Sequence, residues 1–317
     1  MLFHFINKKI ITHIIYFVFV SLTFCFVNLS VAQSSEPSMK KKSGFTSQED
    51  KELNKIKSLK VKSRTKYSAY YELSGKLPAD KSIVTSEKFN RKGLLTELIE
   101  YNGVGNVIAE YKFEYNANGN PIKAIAKEVN NKSSIQTSKY DSKGNEIEKK
   151  IIQSGRKKFE SKSIFKYDKD GNHIETEEYL NGKLVSRLIN SYQNQQKVSS
   201  VVKDANEKII LTSSYLYNSN GKLSMQKRIE GGVELTASYK YDVKGNVEEM
   251  VDHEVKRFYS YDENGNILEH KMYLLDGRRQ LRLMFKYSPN GLQNEIIRFD
   301  NFEKPVLYTN LVYKYYK

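Results

Sequence analysis

The stretch YDENGN, residues 261–266, decides the fold, because nearly the same hexapeptide returns as YNANGN from Tyr115, YDSKGN from Tyr140, YDKDGN from Tyr167 and YDVKGN from Tyr241. Such a series is either a ligand site copied many times or a turn copied because the fold needs it. The second place separates the two readings. It holds Asp141, Asp168, Asp242 and Asp262, but Asn102, Asn116 and Asn218 in other copies and Ser288 in another. All three residue types accept a hydrogen bond from the backbone two residues on and pre-form a type I turn. Only the carboxylate titrates or suits a hard metal. The fifth place, glycine in most copies, supplies the left-handed conformation that closes a three-to-five-residue hairpin loop. The pattern follows what a turn requires. Gly119, Gly144, Gly171, Gly221, Gly245, Gly265 and Gly291, with Asp141, Asp168, Asp242 and Asp262, therefore read as structural turn residues.

Working outward, Gly93 precedes this series, and most spacings are 24 to 27 residues. The gap from 171 to 221 spans two periods and hides a degenerate copy, YQNQQK from Tyr192, with Gln196 in the glycine place. YELSGK from Tyr71 reads as a divergent first copy. Each interval carries a second turn signal near its middle, among them Gly105–Asn106, Asn130–Asn131, Asn181–Gly182, Gly231–Gly232 and Asp276–Gly277. A turn every dozen residues, with Val, Ile, Tyr, Phe and Thr between, predicts a meander of β-hairpins with about eighteen to twenty strands. The chain is thus expected to be all-β, an antiparallel β-hairpin repeat array forming one long, twisted or curled sheet. Open sheets beyond about ten strands tend to curl, split or pack on themselves. A closed barrel or a propeller is the alternative, and the period near 25 argues against propeller blades.

The tyrosine that opens the hexapeptide follows another aromatic by two residues in Phe113–Tyr115, Phe165–Tyr167, Tyr215–Tyr217, Tyr239–Tyr241, Tyr259–Tyr261 and Phe285–Tyr287. Residues two apart in a strand share a face, so the repeat predicts an aromatic ladder on one side of the sheet. Lys and Glu between them predict a solvated opposite face. Tyr115, Tyr140, Tyr167, Tyr217, Tyr241, Tyr261 and Tyr287 are the candidate ligand-facing aromatics. Exposed, coplanar rings would suit sugar stacking, and buried rings a scaffold.

The YDxxGN motif at this period resembles the YD repeats of RHS-like proteins, exported bacterial β-hairpin arrays, over residues 61–317. The resemblance implies hairpin-array architecture, a secreted or envelope location and carbohydrate as a candidate ligand. Larger members wind their repeats around a toxic C-terminal segment. Here the repeats run to the last strand, LVYKYYK, and no toxin role carries over.

Before the repeats, residues 1–32 have the basic, apolar and small-residue pattern of a secretory signal. Lys8 and Lys9 precede the run at 14–27, and cleavage is expected after Ala32. An uncleaved anchor is the rival, but that run is shorter than the roughly 20 residues of a bilayer span. Residues 33–60 read as a flexible polar spacer, with a short helix from Ser47 placing Leu53 and Ile56 on one face. The only cysteine, Cys25, lies in the signal, so the exported chain is expected to carry no disulfide. The full chain has a formal net charge of +15, spread along its length, which suits a polyanionic partner or a solvated lysine-rich surface.

No enzyme is expected. His173, His253 and His270 have no ligand-like spacing, no glycine-rich phosphate loop opens a helix, and DKDGN and DENGN lack the further oxygens of a calcium loop. No cofactor is called for. The sequence reading is a secreted, non-enzymatic repeat scaffold, located in the periplasm, on the outer surface or outside the cell. It is expected to bind a cell-surface glycan or another polyanion. The alternative is a purely structural protein, or one that pairs with a protein or itself through a free edge strand at 311–317. Nucleic acid is not the expected partner.

Overall fold

The computed structural model describes residues 48–129, 132–155 and 158–317. The signal-like segment, the spacer up to residue 47 and the turn residues Asn130 and Asn131 lie outside the described residues. A helix, α1 (Gln48–Ser58), comes first. The strands follow as β1 (Val61–Tyr70), β2 (Ser82–Phe89), β3 (Leu95–Tyr101), β4 (Val107–Tyr115) and β5 (Pro121–Glu128). Next are β6 (Ser133–Tyr140), β7 (Glu146–Ser154), β8 (Phe159–Tyr167), β9 (His173–Leu180) and β10 (Lys183–Gln193). Then come β11 (Gln196–Asp204), β12 (Ile209–Tyr217), β13 (Leu223–Glu230), β14 (Val233–Tyr241) and β15 (Val247–Val251). The last are β16 (Val255–Tyr261), β17 (Ile267–Leu274), β18 (Arg279–Tyr287), β19 (Gln293–Phe299) and β20 (Pro305–Tyr315). The short interval between Gly245 and Gly265 is taken up by β15, which has five residues.

Each strand pairs antiparallel with its chain neighbours, and β1 also pairs with β20. The repeat pattern predicts a long open sheet; the sheet instead closes into a twenty-stranded barrel. An open sheet of this size would leave two edges of unpaired backbone groups, and closure removes both. The expected free edge at 311–317 is therefore occupied. Tyr313 faces Arg64 and Leu311 faces Lys66 across the seam, continuing to Leu307 opposite Tyr70.

Twenty strands about 4.8 Å apart give a circumference near 95 Å, hence a width of roughly 30 Å before strand tilt widens it. Opposite walls are too far apart for their side chains to meet, and among the described residues the strands make their substantial contacts with ring neighbours. The molecule is a shell. Its two faces differ in crowding. Asn190, Ser200 and Ser213, on the tyrosine face, are buried, whereas their chain neighbours Ser191 and Ser214, on the other, are exposed. Short side chains are covered where neighbours converge, so the tyrosine face is the concave, inner one.

The outer face carries a cross-strand pair in most repeats. Lys88–Glu97, Lys123–Glu114, Lys139–Glu148, Lys166–Glu175, Lys240–Glu249 and Lys286–Glu295 lie 2.8–3.2 Å apart. Exposed pairs of this kind contribute about 0–1 kcal/mol each, so they fix strand register more than stability.

The part of the spacer that is described does not behave as a spacer. In α1, Glu49 and Asp50 lie in the first turn and Lys55 and Lys57 in the last, complementing the helix dipole, and Lys60 (φ 52°) ends it. Ile56 is fully buried with Val61, Phe89 and Leu292, flanked by Leu59, Leu95 and Tyr313. One isoleucine suffices because the seam offers it a ready apolar socket. Glu52 then reaches Arg64 on β1 (3.2 Å) and the Tyr313 hydroxyl on β20 (3.1 Å), so α1 bridges the two strands that close the ring.

Candidate functional site

The repeated turn shows how each residue of the hexapeptide is used. In the copy at 168–172, the Asp168 N–H donates to the Asn172 carbonyl (2.9 Å) and the Gly171 N–H to the Asp168 carbonyl (3.1 Å), with Gly171 at φ 83°. Asp168 Oδ1 accepts from the amides of Asp170 (2.9 Å) and Asn172 (2.8 Å). Its Oδ2 accepts from the Asn172 side chain at 2.8 Å. Asn145, Asn246 and Asn266 do the same for Asp141, Asp242 and Asp262. This use of the sixth-place asparagine went unread in the sequence, although the signal, GN after each Asp, is visible there. Burial opposes charge on Asp242, but the amides of Asn246, Lys244 and Gly245 and the Asn246 side chain outweigh it and hold its carboxyl below the usual range. With Asn116 or Asn218 in the second place, Oδ1 takes both amide bonds. The YQNQQK copy is tighter than its neighbours: Asn194 and Gln195 both have positive φ, and Gln196 already pairs with Gln193.

The seven candidate tyrosines each close an even-numbered strand on the inner face and are half-buried. Their hydroxyls all point to the backbone of the preceding hairpin. Tyr115 donates to the Leu95 carbonyl (2.6 Å), Tyr140 to Pro121 (2.8 Å), Tyr167 to Glu146 (2.8 Å) and Tyr217 to Lys197 (2.9 Å). Tyr241 donates to Leu223 (2.7 Å), Tyr261 to Val247 (2.6 Å) and Tyr287 to Ile267 (2.9 Å). Tyr192 and Tyr313 continue the series to His173 and Gln293. Burial pushes the hydroxyls of Tyr115, Tyr140 and Tyr241 up to about 12, so they remain donors at any physiological pH. The rings stand on every second strand, about 10 Å apart along the wall. Lysines cover several inner-face rings, as Lys222 covers Tyr241 and Lys55 covers Tyr287. The arrangement is a clasp repeated around the rim.

The histidines are not brought together. His173 is 2% exposed and engaged on both ring nitrogens, Nε2 with the Glu175 carbonyl (3.0 Å) and Thr176 Oγ1 (2.7 Å), Nδ1 with Asn190 Nδ2 (3.3 Å). An amide donor at Nδ1 makes Nε2 the protonated nitrogen, which leaves no free base there. His253 lies at the surface beside Glu254. His270 stacks on Tyr259 at 4.7 Å, is 5% exposed, and neither ring nitrogen has a hydrogen-bond partner among the described residues. Among the described residues, no three His, Cys, Asp or Glu side chains are placed to hold a metal ion, and no helix is long and apolar enough to cross a membrane.

Residues 178–315 match the Teneurin YD-shell family. Over that span the repeats match YD repeats of the RHS-like kind, and the array folds as a repeat shell. No curated protein sequence matches the chain. Among solved structures, the TcdB2-TccC3-Cdc42 complex is 13% identical over 74% of this chain and 14% of that chain, with a TM-score of 0.27. A porin-like protein from Bacteroides uniformis is 8% identical over 80% of this chain and 98% of that one, with a TM-score of 0.33.

Proposed function

We propose that this protein is an exported, non-enzymatic scaffold, a self-supporting shell of the cell envelope or the extracellular space. The observation that carries this reading is the engagement of the hydroxyls of all seven candidate tyrosines with backbone carbonyls. The tyrosine that opens each hexapeptide commits its hydroxyl proton to the wall and holds neighbouring strands together. The basic, apolar and small-residue pattern of residues 1–32 supports export. The test pairs stability with binding. Tyr115→Phe, Tyr217→Phe and Tyr241→Phe together are expected to lower the unfolding midpoint and to leave retention on immobilised glycans unchanged. Lost retention at unchanged stability would overturn the scaffold reading in favour of a tyrosine-based glycan site.

A second reading, binding of an acidic glycan or other polyanion through charge, is favoured by the excess of 52 Lys and Arg over 37 Asp and Glu. It requires no stacking on the ladder. Binding to polyanions that weakens steeply with salt is its expected signature.

A further inference from the structure

The basic residues look evenly scattered along the sequence, but closure of the ring gathers some of them. Three chain segments meet at the seam: the end of α1, the turn between β2 and β3, and the end of β20. The Tyr316 amide donates to the Lys60 carbonyl (2.9 Å) and its hydroxyl to the Phe89 carbonyl (2.5 Å). Arg91 stacks over the Tyr316 ring at 4.8 Å. The backbone of Lys57 lies so close to Gly93 that a Cβ there would come within 2.7 Å of it. Lys314 sits opposite Ser63 at the same end of the seam.

Lys57, Lys60, Arg91, Lys92 and Lys314 are therefore exposed together at one place on the rim. Three acids of the neighbouring elements are taken, Glu52 and Glu87 by Arg64 and Glu97 by Lys88, and Glu49 and Asp50 lie at the far end of α1. Among the described residues, none of the five cations has a side-chain carboxylate at ion-pair distance; Arg91 Nη1 lies 3.5 Å from the Lys317 main-chain oxygen, and Lys92 Nζ donates to the Ala117 carbonyl at 3.3 Å. Another turn on this rim, at 262–266, is balanced differently. The 262–266 turn, DENGN, holds two acids, and α1 lays Lys51 on its Gly265 carbonyl (2.8 Å) and Lys55 on Asn266 Oδ1 (2.9 Å). The 90–94 turn, NRKGL, holds two cations and no acid. Beside it Tyr315 is 44% exposed.

We infer that this seam patch is a docking surface for an acidic polysaccharide, which locates the charge-based binding of the second reading above and rests on it. The cations lie across β20, β1 and β2, a strip roughly 15 Å wide with α1 at its inner side. A flexible linear polymer with a charge on each residue matches such a strip, where a single compact anion would engage only part of it. The open face of Tyr315 and the Arg91–Tyr316 stack add aromatic surface against which sugar rings can lie. The signal-like N-terminus argues for a polymer met outside the cytoplasm.

The test uses the exported chain, residues 33–317, with polygalacturonate as the carboxylate probe and heparin as the sulfate probe, titrated at several salt concentrations. Lys57→Gln, Arg91→Gln, Lys92→Gln and Lys314→Gln in one variant keep the side-chain stems and remove four charges. Lys183→Gln, Lys208→Gln, Lys256→Gln and Lys304→Gln remove four exposed charges elsewhere. The seam variant is expected to bind at least tenfold more weakly, with a salt dependence shallower by about three, while the control loses less than threefold. The ratio of the two probes tells which anion the patch prefers. Equal losses in both variants, or none in the seam variant, would overturn the location and leave the charge reading standing. Failure of the unmodified protein to bind either probe would overturn that reading as well. Tighter binding to duplex DNA or to phosphatidylglycerol vesicles through the same four residues would overturn the polysaccharide.

Discussion

Tyr241 presents part of its ring to the lumen and its hydroxyl to the carbonyl of Leu223, on the neighbouring strand β13. Removing that hydroxyl in Tyr241→Phe keeps the ring and deletes one bond. The expected loss is about 1 kcal/mol, read as a lower denaturant midpoint at unchanged slope. No loss would mean that water replaces the bond at no cost, and that the clasp is ornamental. His270 supports a different kind of expectation. Burial, and then the Arg257 charge, lower its pKa to about 4. The charged groups facing it are few: Arg257 is held by Asp252 at 2.6 Å, and Tyr259 and Leu283 flank the ring across the two ladders. A folded-state value below the unfolded one near 6.5 means that the neutral ring stabilises the fold above pH 6.5. That contribution, about 3 kcal/mol, is lost as pH falls from 6.5 through 4. His270→Phe retains the stack and is expected to flatten stability across this window. The further loss below about pH 4, where the turn carboxylates Asp141, Asp168, Asp242 and Asp262 protonate, is expected to remain. An unchanged profile between pH 6.5 and 4 would remove His270 from the account.

At the scale of the element, Gly93 and Gly119 occupy equivalent turns at φ 76° and 83°. Alanine at either costs about 1–2 kcal/mol through the left-handed backbone alone. Their surroundings differ. At Gly119 the nearest atom to an added Cβ is Leu94 Cδ1 at 3.6 Å, whereas at Gly93 the Lys57 Cα stands at 2.7 Å. Gly93→Ala is therefore expected to displace α1, to cost more than Gly119→Ala and to open the α1–β1 link to limited proteolysis. Equal costs and equal protection would show that α1 docks loosely. The two sites also show what a sequence can reveal. Hydrogen bonds that close a turn run over at most five residues, so YDENGN spells out its own geometry. Strand alternation places Phe165 and Tyr167 on one face by the same local logic. The socket for Ile56 is assembled from residues as distant as Phe89 and Leu292, and the helix pattern at 48–58 says nothing about it.

The whole molecule depends on one pairing that no local pattern encodes, β1 with β20. The meander and its strand count were legible because each hairpin is specified within one repeat. Closure was not, because the two strands that make it stand at opposite ends of the array and look like any others. The clustering of Lys57, Arg91 and Lys314 was hidden for the same reason. The ring also carries a rule of parity. Neighbouring strands run in opposite directions all the way round, so a closed meander must contain an even number of strands. A repeat of about 25 residues holds two. Excising residues 119–143 takes out β5 and β6 and joins one turn cleanly to the next, and a monomeric eighteen-stranded ring about 3 Å narrower is the expected product. Excising 119–131 takes out β5 alone, leaves the closing strands pointing the same way, and is expected to give open edges and association, which light scattering would register. A monomer from the second deletion would mean the seam tolerates parallel pairing. Length in this architecture is thus quantised: the shell can widen or narrow by whole repeats, and half a repeat breaks it.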